Sequence, residues 1–204
     1  MKRLSNRIFL IPLMTVGLLL LLDVFLISHM DEVPSIYQDS HAISFPCFRT
    51  RDLNGNIITH EIFAGKFSVV CLWVSKDAPS GRELFHALSA WKATLSTPVQ
   101  LVGIIGDLRD TENQEGITAI QSAIEDIPDD IPQLLVNDDL TYFLQRLRNA
   151  PTICFVDEHG MLVGQPVIGN EPALIQKEAE RLIGTKDKHG ELERKIQNSL
   201  FHRP

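Results

Sequence analysis

The chain has 204 residues, about one domain by length, and 44% of them are apolar, which excludes disordered and fibrous classes. It carries 19 Lys+Arg against 26 Asp+Glu, a net charge of −7, so it lacks the clustered bases that neutralise nucleic-acid phosphates. Three cysteines cannot build a disulfide scaffold; with no Cys-x-x-Cys and no His/Cys cluster, neither a metal nor another cofactor is implied.

Residues 8–28 read IFLIPLMTVGLLLLLDVFLIS, 21 residues with one charge, Asp23. That length matches a hydrocarbon core, which takes about 20 helical residues. A cleaved signal peptide is the rival reading, but its apolar run is usually about 7–15 residues and ends in a small-x-small cleavage site, which is missing here. No Cys stands where a lipoprotein signal needs one. Residues 1–29 therefore read as a short cytoplasmic end and an uncleaved transmembrane anchor. Lys2, Arg3 and Arg7 precede the span, and the first base after it is Arg49. The positive-inside rule then places the N-terminus in the cytoplasm and residues 30–204 outside, as a single-pass protein of the cytoplasmic membrane. Asp23 reads as a tolerated polar residue near the outer end, or as a helix-pairing group. Residues 30–44, with Pro34, Ser35, Asp39 and Ser40, read as a tether.

From residue 45 the pattern is that of a soluble domain extending to 184. Phe48 to Glu61 carries Asn54-Gly55, which predicts a hairpin closed by a two-residue turn. Phe67 to Val74 (FSVVCLWV) is apolar throughout and predicts a strand covered on both faces. After Asp77-Ala-Pro-Ser80, Leu84, Leu88, Trp91 and Leu95 recur at helical spacing up to Pro98. Leu101 to Ile105 predicts a second buried strand, and Ile117 to Ile124 a short helix. The stretch 107–140 holds ten Asp/Glu against one Arg and reads as a solvated face. Asp138 and Asp139 are predicted to cap a helix running through Arg148. Thr152 to Val156 and Met161 to Val167 are strands joined at Glu158-His-Gly160. A last helix starts at Asn170-Glu-Pro172, with proline in its first turn, and ends near Ile183. Residues 185–204 form a charged tail.

Strands alternating with helices define an α/β layered domain, a central mixed sheet flanked by helices. The order and motifs resemble the thioredoxin fold, and more narrowly the membrane-anchored TlpA/ResA type. Four features carry the resemblance. Phe45-Pro-Cys-Phe48 followed by Asp52-Leu-Asn-Gly55 is similar to the family's first hairpin. Phe63-Ala-Gly-Lys66 and then Leu72-Trp73-Val74 is similar to its strand entry. Ala150-Pro-Thr152, Phe155-Val-Asp157 and Gly160 are similar to its proline-containing strand and turn. The anchor is the fourth.

One departure bears on function. The family's catalytic Cys-x-x-Cys falls where this chain has Asp77-Ala78-Pro79-Ser80, and Lys76 replaces the usual preceding Trp. A cysteine at that helix N-terminus becomes a nucleophilic thiolate, and the second cysteine resolves the mixed disulfide. Asp and Ser do neither. Structurally, Asp77 or Ser80 reads as an N-cap, with Glu83 completing a capping box for Ser80. Functionally, Asp77 places an anion where the reduced enzyme carries its thiolate, so the domain could mimic the surface of a reduced thioredoxin without redox chemistry. The resemblance implies a cis Pro151 facing this loop, where the neighbouring backbone pairs with substrate peptide; its bland role is a fixed bend. Lys76, Arg82 and His86 surround the site, the last two on one helix face.

The remaining thiols are Cys47, Cys71 and Cys154. Cys71, in the central strand, reads as a small hydrophobe. Cys154 lies in the strand after Pro151, beside Cys71 if the faces match. Cys47 is the one expected at the surface, where it could pair between chains. Two functions stay open. One is an extracytoplasmic, redox-silent module that binds a protein partner at the vestigial groove, with no part for nucleic acid. The other is a thiol-disulfide oxidoreductase using Cys47, or Cys71 with Cys154. A peroxidase reading lacks the Thr-x-x-Cys loop after the first strand.

Overall fold

Seven consecutive residues of the apolar run Phe67–Trp73 are buried, because this strand sits in the middle of a sheet with neighbours on both sides. The computed structural model describes residues 43–111, 114–147 and 150–185, all within the unit Ser40–Pro204. The predicted anchor at 8–28, the tether up to residue 42 and the tail beyond residue 185 lie outside the described residues. Among the described residues, no helix is long and apolar enough to cross a membrane.

In chain order the elements are β1 (Arg49–Arg51), β2 (Ile57–Thr59), β3 (Phe67–Trp73), α1 (Ala78–Lys92), β4 (Val99–Arg109), α2 (Gln114–Ala123), β5 (Gln133–Val136), α3 (Asp138–Leu144), β6 (Thr152–Val156) and β7 (Leu162–Ile168). A last helix, α4, occupies residues 172–185. The five-stranded sheet runs β5-β4-β3-β6-β7, and β1 and β2 form a separate hairpin. Strands β3, β4 and β5 are parallel, while β6 and β7 are antiparallel to their neighbours, so the sheet is mixed. Parallel pairs need a crossover, which α1 and α2 supply.

Alternation along β3 divides the sheet into two faces. Phe67, Val69, Cys71 and Trp73 join a core with Leu84, Phe85 and Leu88 of α1, Ile117 of α2, and Ile175 and Ala179 of α4. The Trp91 indole donates to Glu180 Oε1 at 2.8 Å, tying α1 to α4. The other face buries Val70, Leu72, Ile104, Leu134 and Cys154. Outside the first core, Phe45, Phe48, Phe63 and Phe143 form a second apolar group of edge-on and tilted ring pairs.

Several local expectations change. The hairpin turn is longer than two residues: Asp52 N–H donates to Asn56 O at 2.9 Å, and Gly55, at φ 81°, lies inside the loop. The Asp52 carboxylate accepts from Asn56 N–H at 2.8 Å and holds this wider turn. The N-cap of α3 is Asn137 rather than Asp138 or Asp139. Its side chain accepts from Leu140 N–H at 3.1 Å, and the helix ends at Leu144 rather than reaching Arg148. Strand β4 runs on to Arg109, beyond Ile105, because its irregular end pairs Arg109 with Val136 of β5. The acidic stretch stays solvated even where it pairs: Asp130 meets Lys92 at 2.7 Å and Asp126 meets Arg82 at 3.8 Å, both across to α1, with the carboxylates 64% and 60% exposed.

Candidate functional site

β3, the central strand, ends at Trp73, and the 3-10 turn Ser75–Asp77 passes the chain directly into α1. Strand β6 begins beside it, preceded by the cis peptide Ala150–Pro151. The Asp107 carboxylate at the far end of β4 accepts from Ser75 N–H and from Ser75 Oγ, each at 2.7 Å. This two-point brace fixes the turn two residues before Asp77.

Between these elements lies a cavity of about 210 Å³. Cys71, Trp73, Leu84 and Phe85, all buried, form its apolar part. Asp77, Ser80, Pro151 and Asn170 complete the lining, with Ser80 and Asn170 exposed. The three positions Asp77, Ser80 and Pro151 singled out in the sequence are therefore brought together around one cavity. Lys76 and His86 are exposed and do not line it, and Arg82 turns toward Asp126 instead.

The capping expectation fails at both candidates. Asp77 occupies the N-cap position but makes no side-chain capping bond. A capping side chain is presented from extended backbone and accepts from the second or third helical N–H. Asp77 has φ −98° and ψ 17°, because it leaves a 3-10 turn rather than an extended strand, and the second helical position is Pro79, which has no N–H. Ser80 already lies inside α1, so its capping box with Glu83 cannot form. The Asp77 carboxylate is left to the cavity.

Beneath the site, Trp73 is locked in place. Its ring lies against Gly81, where an added Cβ would stand 3.3 Å from the indole. Its Nε1–H donates to Gln133 Oε1 at 3.1 Å, and Gln133 Nε2 donates to Ile131 O at 3.2 Å. The Gln133 amide occupies the space over Gly103 that any other residue's Cβ would fill. Gln133, Asp107 and Asn170 were not legible as site residues, since each reaches the site from a separate element and no local motif marks it.

The structure separates the thiols. Directly opposed residues of paired strands share a face. Cys71 opposes Ile153, whereas Cys154 opposes Val70, so the two sulfurs lie on opposite faces of the sheet and cannot form a disulfide. Burial, reinforced by the neighbouring Cys154, pushes the Cys71 thiol far above its ordinary range. Burial likewise pushes Cys154 up to about 12. Both are neutral thiols at physiological pH, and the thiolate is the reactive form. Cys47 is exposed and lies by Phe48, Arg49 and His60, lining a hollow that shares no residue with the cavity. Among the described residues no group of three or more His, Cys, Asp or Glu is placed to hold a metal ion.

The sequence matches no protein-family model and no curated protein. Solved structures do resemble the fold. Copper-bound yeast Sco1 superposes with TM-score 0.55 at 18% identity, covering 72% of this chain and 94% of that one. A thiol:disulfide interchange protein DsbE from Chlorobium tepidum superposes with TM-score 0.54 at 15% identity, covering 70% of this chain and 95% of that one. The domain thus has a thioredoxin-like fold, with an Asp-Ala-Pro-Ser sequence at the head of α1.

Proposed function

We propose that this chain is a redox-silent thioredoxin-like module, anchored in the cytoplasmic membrane by residues 8–28. In this reading, its extracytoplasmic domain holds an extended segment of a protein partner in the groove between Asp77, Ser80 and Pro151. The observation that carries the reading is the cavity itself: the groove is assembled without a thiol able to react in it. Exchange of the kind for which the Chlorobium protein is named requires a thiolate, and the one thiol touching the cavity is buried and neutral. The TlpA/ResA resemblance supports the anchor and the side of the membrane. A second reading has one observation in its favour, the exposure of Cys47: a disulfide there would join two chains or a chain and its partner, away from the groove.

The test uses the full chain in detergent, treated with oxidant and then with dithiothreitol, with each thiol mapped by alkylation and mass spectrometry. We expect no disulfide within the chain, labelling of Cys71 and Cys154 only after unfolding, and no reduction of insulin. A reversible intrachain disulfide, or insulin turnover by the unaltered protein, would overturn the redox-silent reading. The double variant Asp77→Cys/Ser80→Cys should gain insulin reduction, and its inertness would count against a preserved groove.

A further inference from the structure

The size and lining of the cavity say what kind of segment it takes. An apolar cavity of about 150 Å³ takes up benzene, whereas drug-sized ligands and cofactors occupy about 300–1,000 Å³. At about 210 Å³, this cavity suits one side chain of phenyl size rather than a cofactor. Its deep wall of Trp73, Leu84 and Phe85 is apolar, so the inserted tip is apolar. Apolar surface continues outside. Ile168, which pairs with Thr152 next to Pro151, is 63% exposed, and Leu174, on the first turn of α4 after Asn170, is 47% exposed.

Among the described residues, the cavity lining carries charge of one sign. Asp77 is the charged residue in the lining, and its carboxylate makes no capping bond. Glu171 follows Asn170 in the chain and is exposed, while Asp107 braces Ser75 on the other side. The exposed cation Lys76, next to Asp77 in the chain, is not part of the lining, and Arg82 lies 3.8 Å from Asp126. Complementary charge selects partners and disfavours those of like sign.

Resting on the binding-module reading above, we infer that the groove takes an extended peptide with one aromatic or large aliphatic anchor flanked by Lys or Arg. The anchor fills the cavity over Trp73 and Phe85, and the flanking cations face Asp77 and Glu171.

The test measures fluorescence anisotropy of labelled peptides against the full chain in a non-ionic detergent. The probes are Ser-Arg-Phe-Lys-Ser, Ser-Glu-Phe-Glu-Ser and Ser-Arg-Gly-Lys-Ser. The first should bind at least about tenfold more tightly than either of the others, since like charges repel and the glycine peptide has no anchor. Asp77→Asn should weaken the first probe about threefold to fivefold, within the range of exposed ion pairs, and flatten its salt dependence. Ser80→Trp, at an exposed rim position, should abolish binding while the unfolding temperature stays unchanged.

Equal binding of the acidic and basic phenylalanine peptides, both lost in Ser80→Trp, would overturn the charge assignment and leave the groove reading standing. Binding that ignores Ser80→Trp for every probe would overturn both. The chain's own Leu200-Phe201-His202-Arg203 has similar chemistry. A tenfold gain in probe affinity in the full-length Phe201→Asp variant would make that segment the occupant and overturn the partner assignment.

Discussion

The two faces of the central sheet are built differently. The face away from α1 is mostly apolar: Val70, Leu72, Ile104 and Leu134 are buried there with the small polar residues Ser68 and Thr152. Phe45, Phe48, Phe63 and Phe143 form a further apolar group of edge-on and tilted ring pairs. The face under α1 is equally buried along Val69, Leu101 and Ile153, but toward the chain end of β3 it changes character. There it holds a hydrogen-bonded indole–amide pair, Trp73 and Gln133, a glycine that makes room for the amide, and then a cavity. The first is mostly apolar packing with small buried polar residues; the second adds a linked polar fixture beneath an opening. A domain kept only for its fold has no need of the second arrangement.

The largest effect expected lies in the phenylalanine group beside the sheet. Phe63 is 1% exposed and contacts two other rings. Phe63→Ala should cost about 3–5 kcal/mol, the usual range for a buried aromatic, measured as a shift of the urea midpoint. Probe binding at the groove should persist in the fraction that remains folded. A loss below 1 kcal/mol would mean that the ring contacts of Phe63 contribute little to the fold.

Next comes Gly103→Ala. The added methyl would collide with the Gln133 amide. The amide must then leave Trp73 or push the β4–β5 ladder apart, at about 1–3 kcal/mol. The same variant should release Trp73, read as a change in its fluorescence. If stability falls but the Trp73 signal stays fixed, the strands have yielded rather than the amide, and the polar fixture is stiffer than its contacts suggest.

How much of this was legible in the sequence depends on how local the cause was. Strand β6 was read to the residue, because five consecutive buried positions between a proline and a turn leave little choice. Asp77, Ser80 and Pro151 were legible through the resemblance, and they do share a cavity. The faces of Cys71 and Cys154 were not, because a one-residue slip in the β3–β6 register exchanges them and nothing local fixes that register. Gln133 reads as one polar residue among Pro132, Leu134 and Leu135; its role appears only when β5 is laid beside Gly103. Asn137, not the acidic pair after it, caps α3, because capping is decided by backbone geometry as well as residue type.

A smaller effect belongs to the edge of the sheet. Glu178 of α4 accepts from Arg181 at 2.7 and 2.8 Å. That bond, with a contribution from the backbone N–H of Gln165 in β7, holds the Glu178 carboxyl below its ordinary value despite opposing desolvation. A carboxylate whose folded pKa is depressed stabilises the fold above its unfolded pKa. The contribution fades as pH falls from about 4.5 through the lower folded value. Arg181→Ala should remove about 0.5 kcal/mol at neutral pH and flatten the loss of stability below pH 4.5, followed by thermal melts across the acid range. An unchanged acid limb would place the responsible carboxylates elsewhere.

The smallest effect on stability is expected at Asp77, and it separates the two roles open to that residue. A capping aspartate changed to alanine costs about 0.5–2 kcal/mol. Asp77 makes no capping bond, for the two reasons its backbone and Pro79 supply. Asp77→Ala should therefore leave the urea midpoint within about 0.5 kcal/mol of the parent, while binding of the basic phenylalanine peptide weakens. A stability loss above 1 kcal/mol would return Asp77 to the helix as its cap and remove the reason to see its carboxylate as facing a ligand. The two roles thus move different readouts, stability for a cap and binding for a groove residue, and one substitution measured both ways decides whether Asp77 belongs to the fold or to the groove.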